Sequence, residues 1–262
     1  MSAPVLSEAD IAFVRSLVIH EDDTIIAFNK PSGLSSQGGR IKAHTLDDLL
    51  FAFARSSGNR PRLIHRLDRD TSGVILTART KPAAGVLGKA MMARRFRKTY
   101  LAIVGGGAPE PAGGVIGTAL RRMEIGRESY MKVCPDDHPD AESAITRYRT
   151  LAKTPDAALV ECSPQTGRMH QLRVHLASLG RPIAGDARYG GALTLGGVAV
   201  PRLMLHAARL SFPHPDGGTT TIEAPMPGDM AAMAAALGLG PPAPKPPLPL
   251  IPAKAGTYPP ER

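Results

Sequence analysis

The sequence predicts an α+β fold: a large mixed, mostly antiparallel sheet with flanking helices. Three observations carry this. Short β-prone runs recur through the 262 residues. Turns rich in Gly (27 residues) and Pro (25 residues) separate them. Stretches of helical period are few and do not alternate with the strands as βαβ units would. Hydrophobic residues make up 43% of the chain, enough for a buried core, but aromatics are 4% and Trp is absent, so that core rests on Leu, Val, Ile, Met and Ala.

Residues 1–18 form a short, mildly helical N-terminal extension, with Ile11, Phe13, Val14 and Leu17 apolar. It is too small to be a domain. Thr24–Asn29 reads as a buried strand stopped by Lys30-Pro31, and 32–39 as a loop. Thr45 with Asp48 three residues on marks a helix start, after which Leu46, Leu49, Leu50 and Phe53 share one face. Strands at 62–64 and 73–79 flank a polar turn. Thr80-Lys81-Pro82 opens a helix through about Arg94, with Pro82 tolerated in the first turn. Residues 97–104 alternate, placing Thr99, Leu101 and Ile103 on one face and Lys98, Tyr100 and Ala102 on the other. A Gly/Pro/Ala loop at 105–114 precedes two short strands over 115–133. Strands follow at 144–151 and 157–162. A helix spans 167–179, ended by Gly180 with Pro182 beyond. A loop at 185–202 leads to a hairpin of 203–212 and 219–223 around Pro215-Asp216-Gly217-Gly218. An Ala/Met helix covers 227–237. The chain thus divides into the extension, one domain over 19–238, and a Pro-rich, disordered tail over 239–262.

The formal charge of +9 favours a polyanionic partner. Between Arg94 and Lys132 the cations are 94, 95, 97, 98, 121, 122, 127 and 132, against Glu110, Glu124 and Glu128, a segment suited to phosphate contact. The two cysteines, Cys134 and Cys162, lack CxxC spacing, which argues against a disulfide framework or zinc site and for a reducing cytoplasm. No run of 18 apolar residues suggests a membrane span, and no basic-then-apolar start suggests a signal peptide. Gly105-Gly106-Gly107 is followed by no Gly-Lys-Ser/Thr, and His170 and His175 are five apart rather than four, so neither a nucleotide cofactor nor a metal is expected.

The chemistry concentrates in Ile64–Gly73, where two carboxylates, arginines and a histidine share one turn. A carboxylate held there beside arginines should stay ionised and can act as a nucleophile. Arg173 flanks the apolar stripe of Met169, Leu172, Leu176 and Leu179, so it is expected to be partly buried and to need a carboxylate partner, for which Asp68 is the candidate. Tyr100 lies mid-strand among apolar neighbours, where its hydroxyl needs a partner. Asp70 reads as a turn residue.

His65-Arg66-Leu67-Asp68 with Thr71-Ser72-Gly73 resembles the signature of the RluA family of RNA pseudouridine synthases. Further matching stretches follow the family order: Asn29–Gly33, Lys98–Ala102, Thr166–His175 and Gly180–Asp186. The resemblance runs from about residue 19 to about 230. It implies the pseudouridine synthase fold, a sheet in two lobes with the site in the cleft between them. It also implies isomerisation of uridine to pseudouridine in rRNA or tRNA, without cofactor or metal, by a cytoplasmic monomer. Asp68 falls at the essential aspartate, Tyr100 at the tyrosine placed against the target base, and Arg173 at the motif arginine. Arg66 is expected to contact the nucleotide displaced from its stack or its phosphates. His65 leans toward a structural role. Lys30, Arg168, His170 and Gln171 are candidate RNA or scaffold contacts. The chain is expected to lack the small RNA-binding domain that some relatives carry, leaving RNA targeting to the catalytic domain. Two other readings compete: a non-catalytic RNA-binding or ribosome-assembly factor, which gives no reason to keep a nucleophile, and a carboxylate glycosidase or nucleoside hydrolase, for which Asp68 with Asp70 nominally offers the carboxylate pair.

Overall fold

The computed structural model describes residues 4–38, 44–55, 58–126, 128–240 and 248. In chain order the strands are β1 (Val18–Glu21), β2 (Ile25–Lys30), β3 (Arg62–Leu63), β4 (Ser72–Ala78), β5 (Arg97–Gly105), β6 (Gly113–Ile116), β7 (Leu120–Ile125), β8 (Glu128–Val133), β9 (Thr146–Lys153), β10 (Ala157–Pro164), β11 (Thr194–Leu195), β12 (Val198–Ala199), β13 (Leu205–Pro213) and β14 (Thr219–Glu223). The helices are α1 (Glu8–Ser16), α2 (Leu46–Leu49, continued as a 3-10 turn over Leu50–Phe53), α3 (Lys81–Met92), α4 (Gln171–Ser178) and α5 (Gly228–Ala236).

Ten strands form one sheet in the order β1-β2-β4-β13-β5-β10-β9-β6, with β3 beside β4 and β14 beside β13. Its two halves meet along a short parallel contact, Ser72 opposite His206 and Gly73 opposite Ala207. Beyond that contact each inner strand turns to its own partner, β4 to β3 at Thr77 and Ala78, and β13 to β14 from Arg209 onward. The sheet therefore splays into two lobes at the contact.

In the first lobe both faces of the sheet are covered. Ile25, Ala27, Val74 and Leu76 pack on Ala83, Leu87 and Ala90 of α3, while Ile26, Phe28 and Ile75 pack on α1 and α2. This double coverage is why β2 and β4 read as continuous apolar runs rather than alternating ones. Thr45 and Asp48 form the expected capping box, each accepting the other's backbone N–H. In the second lobe β5 and β10 are sandwiched between Leu172 and Leu176 of α4 and Met230, Met233 and Ala234 of α5.

Four sequence expectations change, one being that the loop expected over 185–202 holds the β11–β12 hairpin. The helix expected from residue 167 begins at Gln171, because His170 adopts a left-handed conformation (φ 52°) that ends the preceding loop. The segment 115–133 holds three strands, not two: β6 leaves to pair with β9, and β7 and β8 form a separate hairpin. The core reaches Leu239, which is buried, whereas the expected disordered tail otherwise lies outside the described residues, save Gly240 and Leu248.

Gly73 sits at the junction with φ +116°, and a Cβ there would lie 2.2 Å from the Ala207 carbonyl oxygen. Gly73→Ala therefore adds backbone strain to a steric clash and should cost about 3 kcal/mol or more. Urea unfolding measures it; a loss below about 1 kcal/mol would mean that the junction can spread without penalty.

Candidate active site

Asp68 lies on the loop joining β3 to β4, and a second loop laces that one into place. The Ser36 hydroxyl donates to the Leu67 carbonyl (2.7 Å) and accepts the Leu67 N–H (3.1 Å). Gly33 N–H and Arg69 carbonyl pair at 2.9 Å, and Arg69 Nε returns a bond to the Gly33 carbonyl. Ser32 donates to the Asp70 carbonyl, and Thr71 N–H to that of Asp68. Lys30 finishes the lacing. Its fully buried ammonium donates to the carbonyls of Pro31, Leu34 and Arg69 at 2.9, 2.7 and 2.9 Å. Burial pulls the Lys30 ammonium down to about 7, opposed by the charges of Asp70 and Asp68. Lys30 thus offers no exposed surface for the RNA contact that is one of its two expected roles.

The Asp68 side chain is one-third exposed and faces Arg173 NH1 at 3.9 Å and His170 Nε2 at 4.0 Å. The pairing expected for Arg173 is corrected in part. Its hydrogen bonds go to Asp186, Nε to Oδ2 at 2.7 Å and NH2 to Oδ1 at 2.8 Å, and Asp68 meets only the remaining nitrogen. Asp186 wins because its carboxylate is wholly buried on the turn that passes α4, where a bidentate fork leaves neither charge unpaired. Burial alone would lower the Arg173 guanidinium; the Asp186 hydrogen bonds outweigh it and hold the group above its ordinary value, with Asp68 adding to the effect. The Tyr189 ring lies under the same guanidinium, 5.0 Å from its centre, and the Tyr189 hydroxyl bonds His170 Nδ1 at 2.7 Å. Burial lowers His170, and Asp68 only partly compensates, so the imidazole is neutral near pH 7.

Tyr100 on β5 borders both lobe cores and lines a 110 Å³ recess together with Asp68, Thr71, Arg173 and Leu205. Burial and then the Asp68 charge push its phenol up, keeping it protonated. The recess shares Asp68, Arg66 and His170 with an open cleft of about 990 Å³, whose lining carries Arg66, Arg69, Arg94, Lys98, Arg122 and Arg168 against the single acid Asp68. Arg66 is exposed at this mouth. Arg168 also reaches it, tied to Glu142 at 3.2 Å and the Ser143 carbonyl. Gln171 lines the recess rather than the cleft, and its amide is engaged by Thr166, the Arg168 N–H, the Ile145 carbonyl and Thr146. His65 lines the cleft, while its Nε2 accepts the Leu76 N–H at 3.2 Å. The fold thus brings Asp68, Tyr100, Arg173, His170 and Arg66 together, with Gln171 in the recess wall, His65 in the cleft wall and Lys30 buried behind them. Sequence reasoning gave no role to Asp186 or Tyr189. Asp186 had a signal, since a buried arginine needs an acid and Asp186 closes the last quoted motif; Tyr189 had none.

A family model described as RNA pseudouridylate synthase matches residues 24–178. The ribosomal large subunit pseudouridine synthase C of Escherichia coli (strain K12) is 38% identical over 222 residues, spanning 82% of this chain and 68% of that protein. The ribosomal large subunit pseudouridine synthase D of Nitrosomonas europaea is 37% identical over 229 residues, spanning 84% of this chain and 64% of that protein. Among solved structures, human RNA pseudouridylate synthase domain containing 4 superposes with a TM-score of 0.77 at 26% identity, covering 90% of this chain and 99% of that one.

Burial and the neighbouring Lys98 charge push His65 down to about 3, from an ordinary 6.5. Between pH 6.5 and 3 the unfolded chain takes up a proton at this residue and the folded chain does not, so stability falls as pH drops through that window. His65→Gln keeps an acceptor for Leu76 and removes the titration. Urea midpoints for this variant should fall less steeply than wild type across the window; identical slopes would show that His65 protonates as easily folded as unfolded.

Proposed function

The chain belongs to the RluA family of RNA pseudouridine synthases, isomerases that convert uridine to pseudouridine in RNA, and from that premise we propose that Asp68 drives the reaction on a uridine of ribosomal RNA. The reaction breaks the bond between uracil N1 and ribose C1′, turns the ring, and rejoins it through C5. A carboxylate can attack C1′, add to C6 or remove the 2′ proton, and each route needs it at the wall of a base-sized recess. The observation that supports the assignment is the placement of Asp68: its backbone is fixed by Ser36, Gly33 and Lys30, while its carboxylate is left partly open to the recess. Arg173, locked from behind by Asp186, offers its free nitrogen to whichever anion forms there.

A uridine inside a stack must leave it to enter the recess. Arg66 stands at the mouth, suited to the place the base vacates or to its phosphates. Tyr100 forms the wall for the flipped ring, and its protonated phenol can relay the C5 proton only by releasing its own in the same step. Isomerisation conserves every atom and electron of the nucleotide, so neither cofactor nor metal is required. The proposed catalyst acts as a monomer. Among the described residues no helix is long and apolar enough to cross a membrane, and the proposed site of action is the cytoplasm. The large-subunit names of the relatives favour ribosomal RNA over tRNA.

Carbodiimide mapping by primer extension, on large-subunit rRNA and tRNA transcripts, tests the proposal. Wild type should create new stops and Asp68→Ala none, with a rate loss of about 10⁴-fold or more and RNA affinity within a few-fold. Persisting turnover would end the nucleophile assignment; stops on tRNA alone would move the substrate. Tyr100→Phe keeps the ring and loses the hydroxyl. Its single-turnover rate should fall about 10²-fold or more, and a wild-type rate would remove the phenol from proton transfer.

A further inference from the structure

A second concave surface, about 740 Å³, lies outside the catalytic cleft, against the end of β3, the end of β4 and the start of α3. Five cations line it, Arg55, Arg60, Arg62, Arg79 and Lys81, against Asp47 as the one acid. Two of the cations are already engaged. Arg60 forks onto Asp47 at 2.6 and 2.8 Å, and Arg79 pairs with Glu21. Arg55, Arg62 and Lys81 remain. All three are exposed, and among the described residues none has a salt-bridge or side-chain hydrogen-bond partner.

Charge without partners is cheap at a surface, so the placement matters more than the count. Lys81 opens α3, whose first turn carries no acid to compete for an anion. Arg62 belongs to β3, the strand that runs directly into the Asp68 loop, and Gln37 lines both this groove and the catalytic cleft. The two basic surfaces are thus neighbours along one path. Within the groove the Arg60 guanidinium lies over the Phe51 ring, its Cζ 5.0 Å from the ring centre, and is held there by the fork to Asp47. A guanidinium fixed on both counts has little left for a phosphate, but its plane is suited to stacking under an unpaired base.

We propose that this groove is a second RNA site, in which Arg55, Arg62 and Lys81 hold backbone phosphates of the strand that continues past the target uridine and Arg60 stacks under one of its bases. The groove takes no part in the chemistry; it raises affinity for RNA long enough to reach it. The proposal rests on RNA being the substrate.

The test uses the full chain, an unmodified large-subunit rRNA transcript, and a short stem-loop cut from it around the uridine that wild type modifies. The variant is Arg55→Ala/Arg62→Ala/Lys81→Ala, with Arg55→Lys/Arg62→Lys as the charge-retaining control. For the long transcript, the slope of log affinity against log salt should become shallower by about 2–3, since each lost phosphate contact removes about 0.7–0.9. KM should rise at least tenfold with kcat unchanged. The control should keep the wild-type slope, and the stem-loop should not distinguish the proteins. A triple variant with wild-type slope and KM overturns the groove while leaving the synthase reading intact. A loss shared equally by the stem-loop also overturns it, because the fault would then lie in the cleft or the fold. A wild type that shows no salt-dependent affinity for the transcript overturns the RNA reading itself, and the groove with it.

Discussion

The structure depends on one close approach between backbones. At Gly73 the first lobe touches the second with no room for a side chain, the Ala207 carbonyl occupying the place a Cβ would take. Ser72 and His206 fasten the same point: the Ser72 hydroxyl lies 3.0 Å from His206 Nδ1, while His206 Nε2 reaches the Ala224 carbonyl at 3.2 Å. With Nε2 donating to a carbonyl, Nδ1 must accept, so the serine donates. The Ser-Gly end of the Asp68 motif is therefore structural. It joins two sheets that otherwise diverge, and the divergence makes the cleft. Because Asp68 lies four residues before the joint, the element that creates the cleft also delivers the carboxylate to its floor.

Around that carboxylate the protein buries charge rather than hydrophobic bulk. Lys30 and the Arg173–Asp186 pair sit beneath the site with their hydrogen bonds largely satisfied. Buried ion pairs are a poor source of stability, since desolvation offsets most of the attraction. Their value here is orientation. An ammonium serving three carbonyls fixes the path of two loops at once, and a guanidinium forked onto Asp186 can point its third nitrogen only toward Asp68. Apolar replacements would fill the space and leave the loops free to move, and small displacements at a reacting centre are costly.

Electrostatically the molecule is divided in purpose. The cleft is lined by cations around one acid, so a polyanion is attracted to the place where the single carboxylate waits. Arg168, Arg122 and Arg60 are each paired with an acid, Glu142, Glu124 and Asp47, and serve shape as much as charge. Arg66 sits exposed beside Asp68 in the same cleft.

The sequence alone determined what is local. The apolar runs of β2 and β4, the Thr45 capping box, the hairpin at Pro215–Gly218 and the run of motif residues around Asp68 are each written in a few consecutive positions, and the family resemblance follows from the order of those motifs. Tertiary structure decided what depends on partners distant in the chain. Lys30 reads as a charged residue beside a proline and becomes a buried strut only because Arg69 returns to it. Arg173 announces a need for an acid, but the choice of Asp186 over Asp68 is made by which carboxylate is fully buried. His170 carries a left-handed backbone that delays α4 by four residues, which no periodicity reveals. Tyr189 supports both Arg173 and His170 from a stretch with no helical or strand period of its own. Periodicity reports which face of an element is buried; which charge meets which is fixed only when segments distant in the chain fold against one another.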